Sequence, residues 1–394
     1  MNRLPLVTSS KPLLKLCEDL KGVRRLALDT EFVPEYTYAP KLCLVQIATD
    51  ELSVAIDPLT VKDLSPLWAL LLDPGREIVV HAGQAEMEFC LRATGQIPPS
   101  TFDVQIAAGL TGDGYPLSYK RLTQRILGLE AADQQTRTDW RKRPLSDDQL
   151  DYALDDVEHL LTIRDRLGDK LKAMGRVAWL DDEMARARAR LLKVDTEQPW
   201  RRVAGGGSLD RRELAVLAEL ALWRDGRAKA LDKPIRQILR DDLLVELARR
   251  KPRSADAVQR VRGVGNLNHA LTLEEIVSAV ARGVATPEAD CPFIPRRNPR
   301  PGEAMILKLL SAVMLHLAEC HAVAPQLLGS NEDLTRLLDW RDSGQPPGKA
   351  PHLARGWRAE LCGRSLTDFL SGQTCLRLDC ATAEPTLDFV RSPS

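Results

Sequence analysis

Asp29 and Glu31 stand two residues apart at the end of the apolar run Leu26-Ala27-Leu28. Side chains alternate along a strand, so both carboxylates share one face. Neighbouring acids repel each other, and a divalent cation held between them is the common solution. Taken alone, Asp-x-Glu after an apolar run also reads as a strand ending in a polar turn, so the pair needs company. Two later stretches supply it. Glu86 lies in His81-Ala82-Gly83-Gln84-Ala85-Glu86, directly after the apolar Ile78-Val79-Val80. Tyr152 and Asp156 are separated by four residues, which stacks them on one helix face, while Asp155 is turned away by about 100°. Singly, Tyr152 reads equally well as a half-buried helix tyrosine and Asp156 as a solvated helix charge.

These residues need elements to position them. After a short amphipathic helix pattern over Leu13 to Leu20, three strands follow in quick succession. They are the run ending in Asp29-Thr30-Glu31-Phe32, then Lys41 to Thr49, then Ser53 to Asp57, closed by Pro58. No room is left between them for crossover helices, so an antiparallel meander is expected. Leu64, Leu67, Leu70 and Leu71 mark a helix, Ile78-Val79-Val80-His81 a buried strand, and Gln84 to Cys90 a further helix. Thr101 to Ile106 opens another strand or helix, and the chain is then mostly helical to about Leu191. Strands first and helices interleaved later indicate a mixed sheet with helices on its faces.

The chain has 394 residues, 44% of them hydrophobic and 28% charged, enough for full cores and two or three domains. Lys+Arg and Asp+Glu are both 55, so no global field draws the chain to nucleic acid or to anionic lipid. Affinity of that kind must come from local patches. Cys17, Cys43, Cys90, Cys291, Cys320, Cys362, Cys375 and Cys380 show no C-x-x-C pair and no zinc-finger spacing, and read as small buried hydrophobes in a reducing compartment. No segment approaches the roughly 20 apolar residues of a membrane span. A soluble, cytoplasmic protein with no membrane association and no obligate protein partner is the expectation.

Asp29-Thr30-Glu31-Phe32, His81-Ala82-Gly83, Phe102-Asp103 and Tyr152-x-x-x-Asp156 fall in the order and spacing of the ribonuclease D family of DEDD 3′ to 5′ exonucleases, in the subtype with a tyrosine in its last motif. Leu42 to Thr49 and Thr136 to Trp140 also resemble that family. The resemblance implies a ribonuclease H-like (DnaQ-like) α/β exonuclease domain with a mixed sheet over residues 1–195. It also implies two divalent ions, Mg²⁺ or Mn²⁺, which supply an activated water, a phosphate clamp and stabilisation of the leaving oxygen. By this resemblance Asp29 bridges both ions, Glu31 and Asp156 complete one site, Glu86 supports the other, and Tyr152 positions the attacking water. His81, Thr30 and Phe32 are expected just outside the ligands, as supporting or substrate-facing residues. The family's second motif offers an aspartate where this chain has Glu86. One extra methylene leaves two readings open: a working site with a lengthened ligand, or a weakened nuclease.

Pro199 through Gly205-Gly206-Gly207-Ser208 breaks the helical periodicity, and residues 196–208 read as a linker. The helical stretch 209–285, with Leu220-Ala221-Leu222-Trp223-Arg224, Lys233-Pro234 and Val261-Arg262-Gly263-Val264, resembles an HRDC domain. A Pro-rich linker over 286–301 leads to a second, more diverged HRDC-like unit over 302–372, leaving 373–394 as a partly frayed tail. The expected fold is thus the α/β nuclease followed by two all-α HRDC-type domains. Between Arg201 and Arg262 sixteen Lys/Arg face nine Asp/Glu, a local basic excess suited to phosphates or equally to solvated helix faces. The implied activity is 3′ to 5′ exoribonuclease action on RNA with a single-stranded 3′ end, such as tRNA precursors, releasing nucleoside 5′-monophosphates. A 3′ to 5′ DNA exonuclease and a catalytically weakened RNA-binding protein remain the alternatives.

Overall fold

The structure, a computed structural model, describes residues 1–129, 138–196, 198–264, 270–295, 297–379 and 386–391. Thr136, Arg137 and Cys380 lie outside the described residues. The chain opens with β1 (Asn2–Arg3), α1 (Ser10–Asp19), β2 (Arg25–Val33), β3 (Lys41–Ala48) and β4 (Leu52–Ile56). It continues with α2 (Ser65–Leu71), β5 (Glu77–Val80), α3 (Gln84–Thr94), β6 (Ser100–Asp103) and α4 (Val104–Leu110). Four helices complete this part: α5 (Tyr119–Leu127), α6 (Asp147–Glu158), α7 (Leu160–Ala173) and α8 (Val177–Thr196).

The six strands form one mixed sheet in the order β1-β4-β3-β2-β5-β6. β2, β3 and β4 form the antiparallel meander, while β5 and β6 add parallel to β2. β1, two residues long, pairs with the far edge and was not legible from its sequence. The alternation of β2 decides where its chemistry points. Leu26 and Leu28 lie in the core beneath α1, α2 and α3, with Leu13, Leu67 and Phe89. Ala27 belongs to the opposite face, with Val104, Leu160 and Ile163 of α4 and α7. Continuing that alternation, Asp29 and Glu31 extend from the Ala27 face and Thr30 and Phe32 from the other. The ladder to β3 slips between Glu31 and Phe32, a bulge of the kind that redirects side chains at the end of a strand.

The helical half begins earlier than expected. Residues 199–208 are not a loose linker: they form two 3₁₀ turns, and Trp200, 3% exposed, enters the core of the next unit. That unit comprises α9 (Arg211–Leu231), α10 (Ile235–Ile238), α11 (Asp241–Arg250), α12 (Ala255–Gln259) and α13 (Ala270–Ala285). Leu214, Leu217, Leu220 and Ala221 are its buried stripe, as their spacing predicts. Asp210 begins α9 with a reciprocal capping box to Glu213. Several of the basic side chains are paired inside this unit, as in Arg224–Asp241, Arg250–Glu246 and Lys251–Glu213, which leaves the local excess over acids in place.

The last unit holds α14 (Glu303–Cys320), α15 (Pro325–Leu328), α16 (Asn331–Asp342), α17 (Gly356–Arg358) and α18 (Arg364–Leu370). It has no separate core. Leu310, Leu327, Leu337 and Leu366 join one continuous cluster with Val104, Leu161 and Leu180 of the nuclease half. Gly109 shows how close the approach is: a Cβ there would sit 2.6 Å from Leu327 Cδ1, and the Ala324 N–H donates to the Gly109 carbonyl at 2.8 Å. A buried ion pair, Arg358 to Glu183 at 2.6 Å, and the stacked rings of Trp179 and Trp357, 4.7 Å apart, close the seam. The expected frayed tail is also ordered in part: β7 (Thr374–Asp379) and β8 (Thr386–Arg391) form an antiparallel ribbon, with Leu376 and Phe389 packed on the same core. Among the described residues no disulfide forms, and no single helix is long and apolar enough to cross a membrane.

Candidate active site

β2 delivers Asp29 and Glu31 to the end of the sheet, and α6 lies across the strands from that side, through Ala153 and Leu154 against Val33, Leu44 and Ala55. α6 starts at a fixed point because Ser146 and Gln149 form a capping box. Its third turn therefore presents Asp156 to the β2 pair. One carboxylate oxygen each from Asp29, Glu31 and Asp156 lies within 4.8 Å of the other two. Among the described residues no lysine or arginine pairs with any of the three.

That isolation raises every carboxyl in the cluster. Burial, then repulsion from Glu86, Asp156 and Glu31, holds Asp29 well above the ordinary aspartate range. Burial, with Asp156 and Glu86 nearby, pushes Glu31 up to about 8. Asp156 rises to about 6, by burial, against the lowering effect of the nearby Tyr152 hydroxyl. Three partly buried acids with raised affinity for protons and no basic partner form a set of oxygen donors suited to hard divalent cations.

Glu86 is placed differently. It sits in the first turn of α3, 6% exposed, and accepts a hydrogen bond from Thr30 Oγ1 at 2.5 Å. Thr30 points to the opposite side of β2 from Asp29 and Glu31, so Glu86 approaches the strand end from the α3 side. It is outside the three-acid cluster, although its charge raises both Asp29 and Glu31. Burial brings its own carboxyl up to about 7.

Tyr152 lies one turn before Asp156, with its hydroxyl near enough to lower that carboxyl. Burial and the charges of Asp156, Glu31 and Asp29 push its phenol upward from its ordinary value. It therefore keeps its proton at neutral pH and acts as a donor, not a base. Tyr152 also lines a cleft of about 560 Å³ beside the acids, with Glu31, Phe32, Pro34, Glu35, Tyr36 and the 138–140 segment. Phe32 is braced by Phe89, edge to face at 5.4 Å.

His81 stands apart from the acids. Its Nε2 lies 2.9 Å from the Leu117 carbonyl and its ring packs edge-on against Tyr119. Burial lowers its pKa, so it is a neutral structural histidine. The neighbouring Asp103 does more than its place in a motif suggests. Its buried carboxylate accepts from the N–H groups of Ala82 and Gly83 and, on its own side, from Gln105. Ala82 has φ of 55°, so Asp103 stabilises an unfavourable turn that aims α3, and Glu86 with it.

Sequence reasoning missed two supports, Tyr119 and Arg143, and expected Thr30 to support the site without indicating its partner. Tyr119 accepts the His159 N–H at 3.1 Å and so joins α5 to the junction of α6 and α7. Thr30 orients Glu86 from across the strand. Arg143 clasps the buried Asp57 through two bonds of 2.6 and 2.7 Å and the Cys43 carbonyl at 2.7 Å, pinning the 138–145 segment to the sheet. Of the two missed, only Arg143 had a signal, in the run of basic residues after Trp140, and nothing in that run indicates which arginine turns inward.

Comparisons with known proteins agree with this geometry. A family model described as 3′-5′ exonuclease matches residues 5–172, one for the HRDC domain matches 213–280, and one for the ribonuclease D C-terminal HRDC domain matches 301–366. Ribonuclease D of Granulibacter bethesdensis is 34% identical over 380 residues, covering 95% of this chain and 94% of the relative. Ribonuclease D of Escherichia coli is 31% identical over 371 residues, covering 93% and 98%. The crystal structure of Escherichia coli RNase D, described as an exoribonuclease involved in structured RNA processing, superposes with a TM-score of 0.81 at 31% identity, covering 94% of this chain and 99% of that one. With the nuclease part and both helical units matched along nearly the whole length, the chain belongs to the ribonuclease D family of 3′-5′ exonucleases.

Proposed function

We propose that this chain removes nucleotides one at a time from the 3′ end of RNA by hydrolysis, releasing nucleoside 5′-monophosphates, and that it trims structured RNAs such as tRNA precursors in the cytoplasm. The observation that carries this reading is the convergence of Asp29, Glu31 and Asp156 within 4.8 Å beside an open cleft, without a basic partner. Two divalent ions, Mg²⁺ or Mn²⁺, would supply an acidified water and neutralise the charge that develops on the phosphate and on the leaving 3′ oxygen.

The protein's own part is to hold and orient. Asp29, Glu31 and Asp156 offer the ligand oxygens. Glu86, steered by Thr30, would help hold a second ion as a lengthened counterpart of the usual aspartate. Tyr152 keeps its proton and, from the cleft wall beside Glu31, would orient the nucleophilic water. The cleft walls admit a single strand. Basic side chains of the first helical unit, including Arg236, Arg240 and Arg249 around a hollow of about 780 Å³, contact phosphates without regard to sequence.

The test is incubation of end-labelled single-stranded RNA, with and without Mn²⁺, using wild type, Asp29→Asn and Glu86→Gln side by side. Wild type should give a one-nucleotide ladder from the 3′ end only with metal, and Asp29→Asn none. Equal degradation by wild type and Asp29→Asn would refute the site. A DNA strand of the same sequence degraded in preference would favour the DNA exonuclease reading.

A further inference from the structure

One aromatic at the mouth of the cleft has no role in the chemistry above. Tyr36 lies in the loop between β2 and β3 and lines the cleft, yet its side chain is 56% exposed. An exposed tyrosine is unremarkable by itself. Its surroundings are not. The Arg141 guanidinium lies 3.8 Å from the Tyr36 ring centroid, so one face of the ring is covered by a stacked cation. Arg141 is held in turn by Asp139, through Nε at 2.9 Å and Nη2 at 3.1 Å. The ring is thus backed by an arginine that is already locked, and its exposed area is left for something else.

The loop carrying Tyr36 is tethered on both sides to the first helical unit. On one side Gln237 Nε2 donates to the Glu35 carbonyl at 3.2 Å. On the other, the Tyr38 hydroxyl donates to Asp225 at 2.8 Å, its backbone N–H to Asp232 at 3.2 Å, and Lys229 lies 5.4 Å from its ring. A free loop tip has no need of such anchors, and mobility would cost binding affinity when a ligand orders it. The anchors stop at Glu35 and Tyr38 and leave the ring between them open.

We propose that Tyr36 is a base-stacking seat for the RNA strand entering the cleft, pre-set by Arg141 from behind and by the helical unit through Tyr38. An unpaired nucleobase presents a flat π-face whatever its identity, so the seat grips a single strand without reading sequence, whereas a paired base has no free face to offer. This rests on the functional reading above and adds to it how the protein recognises a base outside the acidic cluster. It also assigns the helical unit a second task besides phosphate contact: keeping the seat still.

The experiment reads binding, not turnover. Fluorescence anisotropy of a 5′-labelled single-stranded RNA is measured with EDTA present, using intact RNA and versions with one abasic nucleotide at each of the last few positions. In wild type, one abasic position should weaken binding about tenfold, the size of a single base–aromatic stack. Tyr36→Ala should bind intact RNA about tenfold more weakly and lose its sensitivity to that position, while Tyr36→Phe should keep the wild-type pattern. Wild-type affinity in Tyr36→Ala, an abasic penalty that persists in it, or equal weakening in Tyr36→Phe would each overturn the stack, as would a wild type indifferent to every abasic position. Adding Mn²⁺ to the same wild-type mixture reads hydrolysis separately, so failure of the nuclease assignment and failure of the seat are told apart.

Discussion

Glu31→Gln should make the metal-free protein more stable while abolishing its activity. The folded Glu31 carboxyl titrates near 8, against an ordinary value of 4.5. Proton binding therefore favours the folded state. The contribution is complete below about pH 4.5 and is lost as pH rises through 8, because above that the fold must hold a charge that burial and its neighbours disfavour. At pH 7 the difference of about 2.5 pH units from the unfolded value corresponds to roughly 3 kcal/mol. Glutamine keeps the size of the side chain and removes the charge, so about 2 kcal/mol should return, with part of the repulsion already eased by dissolved cations. The assay is thermal unfolding in EDTA at pH 5.5 and pH 8. Wild type should melt a few degrees lower at pH 8 than at pH 5.5, and Glu31→Gln should narrow that gap without closing it, since Asp29, Glu86 and Asp156 are raised as well. Mn²⁺ should raise the wild-type midpoint at pH 8 and raise the variant's far less. A variant no more stable than wild type in EDTA at pH 8, or a wild-type midpoint indifferent to pH, would refute the view that these acids are mutually repelling and await a cation.

Glu86→Gln should abolish metal-dependent degradation and Glu86→Asp should retain it, measured on single-stranded RNA in Mn²⁺; equal rates in wild type and Glu86→Gln would remove Glu86 from the metal site. Tyr152→Phe should bind RNA as wild type does but lower kcat by about 10- to 100-fold, since the hydroxyl that orients water is lost while the ring stays; single-turnover kinetics distinguishes this from slower product release. Arg358→Met should destabilise the whole protein by about 3–5 kcal/mol, because buried Glu183 loses its close ion pair and keeps only Arg186 at 3.7 Å and the Trp357 N–H at 3.3 Å. Denaturant unfolding should show that loss in the nuclease half as well as in the last unit, and the double variant with Glu183→Leu should recover much of it.

The catalytic strand was legible because a period of two carries both the hydrophobic pattern and the acids: Leu26 and Leu28 fix one face, and Asp29 and Glu31 must then take the other. Tyr152 and Asp156 were legible by the same reasoning at helical spacing. Thr30 was expected as a supporting residue, but its bond to Glu86 was not, since a bond from one side of a strand to α3 depends on how two elements meet, and no local pattern encodes that. Asp103 and Arg143 act through long-range hydrogen bonds to backbone and carboxylate, which composition cannot reveal. The glycines at 205–207 suggested a boundary, yet Trp200 carries enough apolar surface to bind the preceding turns into the helical core. The second helical unit resembled its neighbour in sequence, but nothing in its own periodicity told which part of the chain its buried face would meet.

That last feature bears on synthesis. Domains usually fold as they emerge, N-terminal first, at about 5–20 residues per second. Here the layer over α4, α7 and α8 is supplied by α14 to α18, made some tens of seconds after them at those rates. Until then Gly109 lacks its contact with Leu327 and Trp179 its stack on Trp357, and the Arg176 guanidinium, which bonds the Leu110, His321 and Ala322 carbonyls, lacks two of its three acceptors. The acidic strand can form early, but its support is finished last. A nascent chain of this protein would thus carry its cutting residues well before it has a settled nuclease.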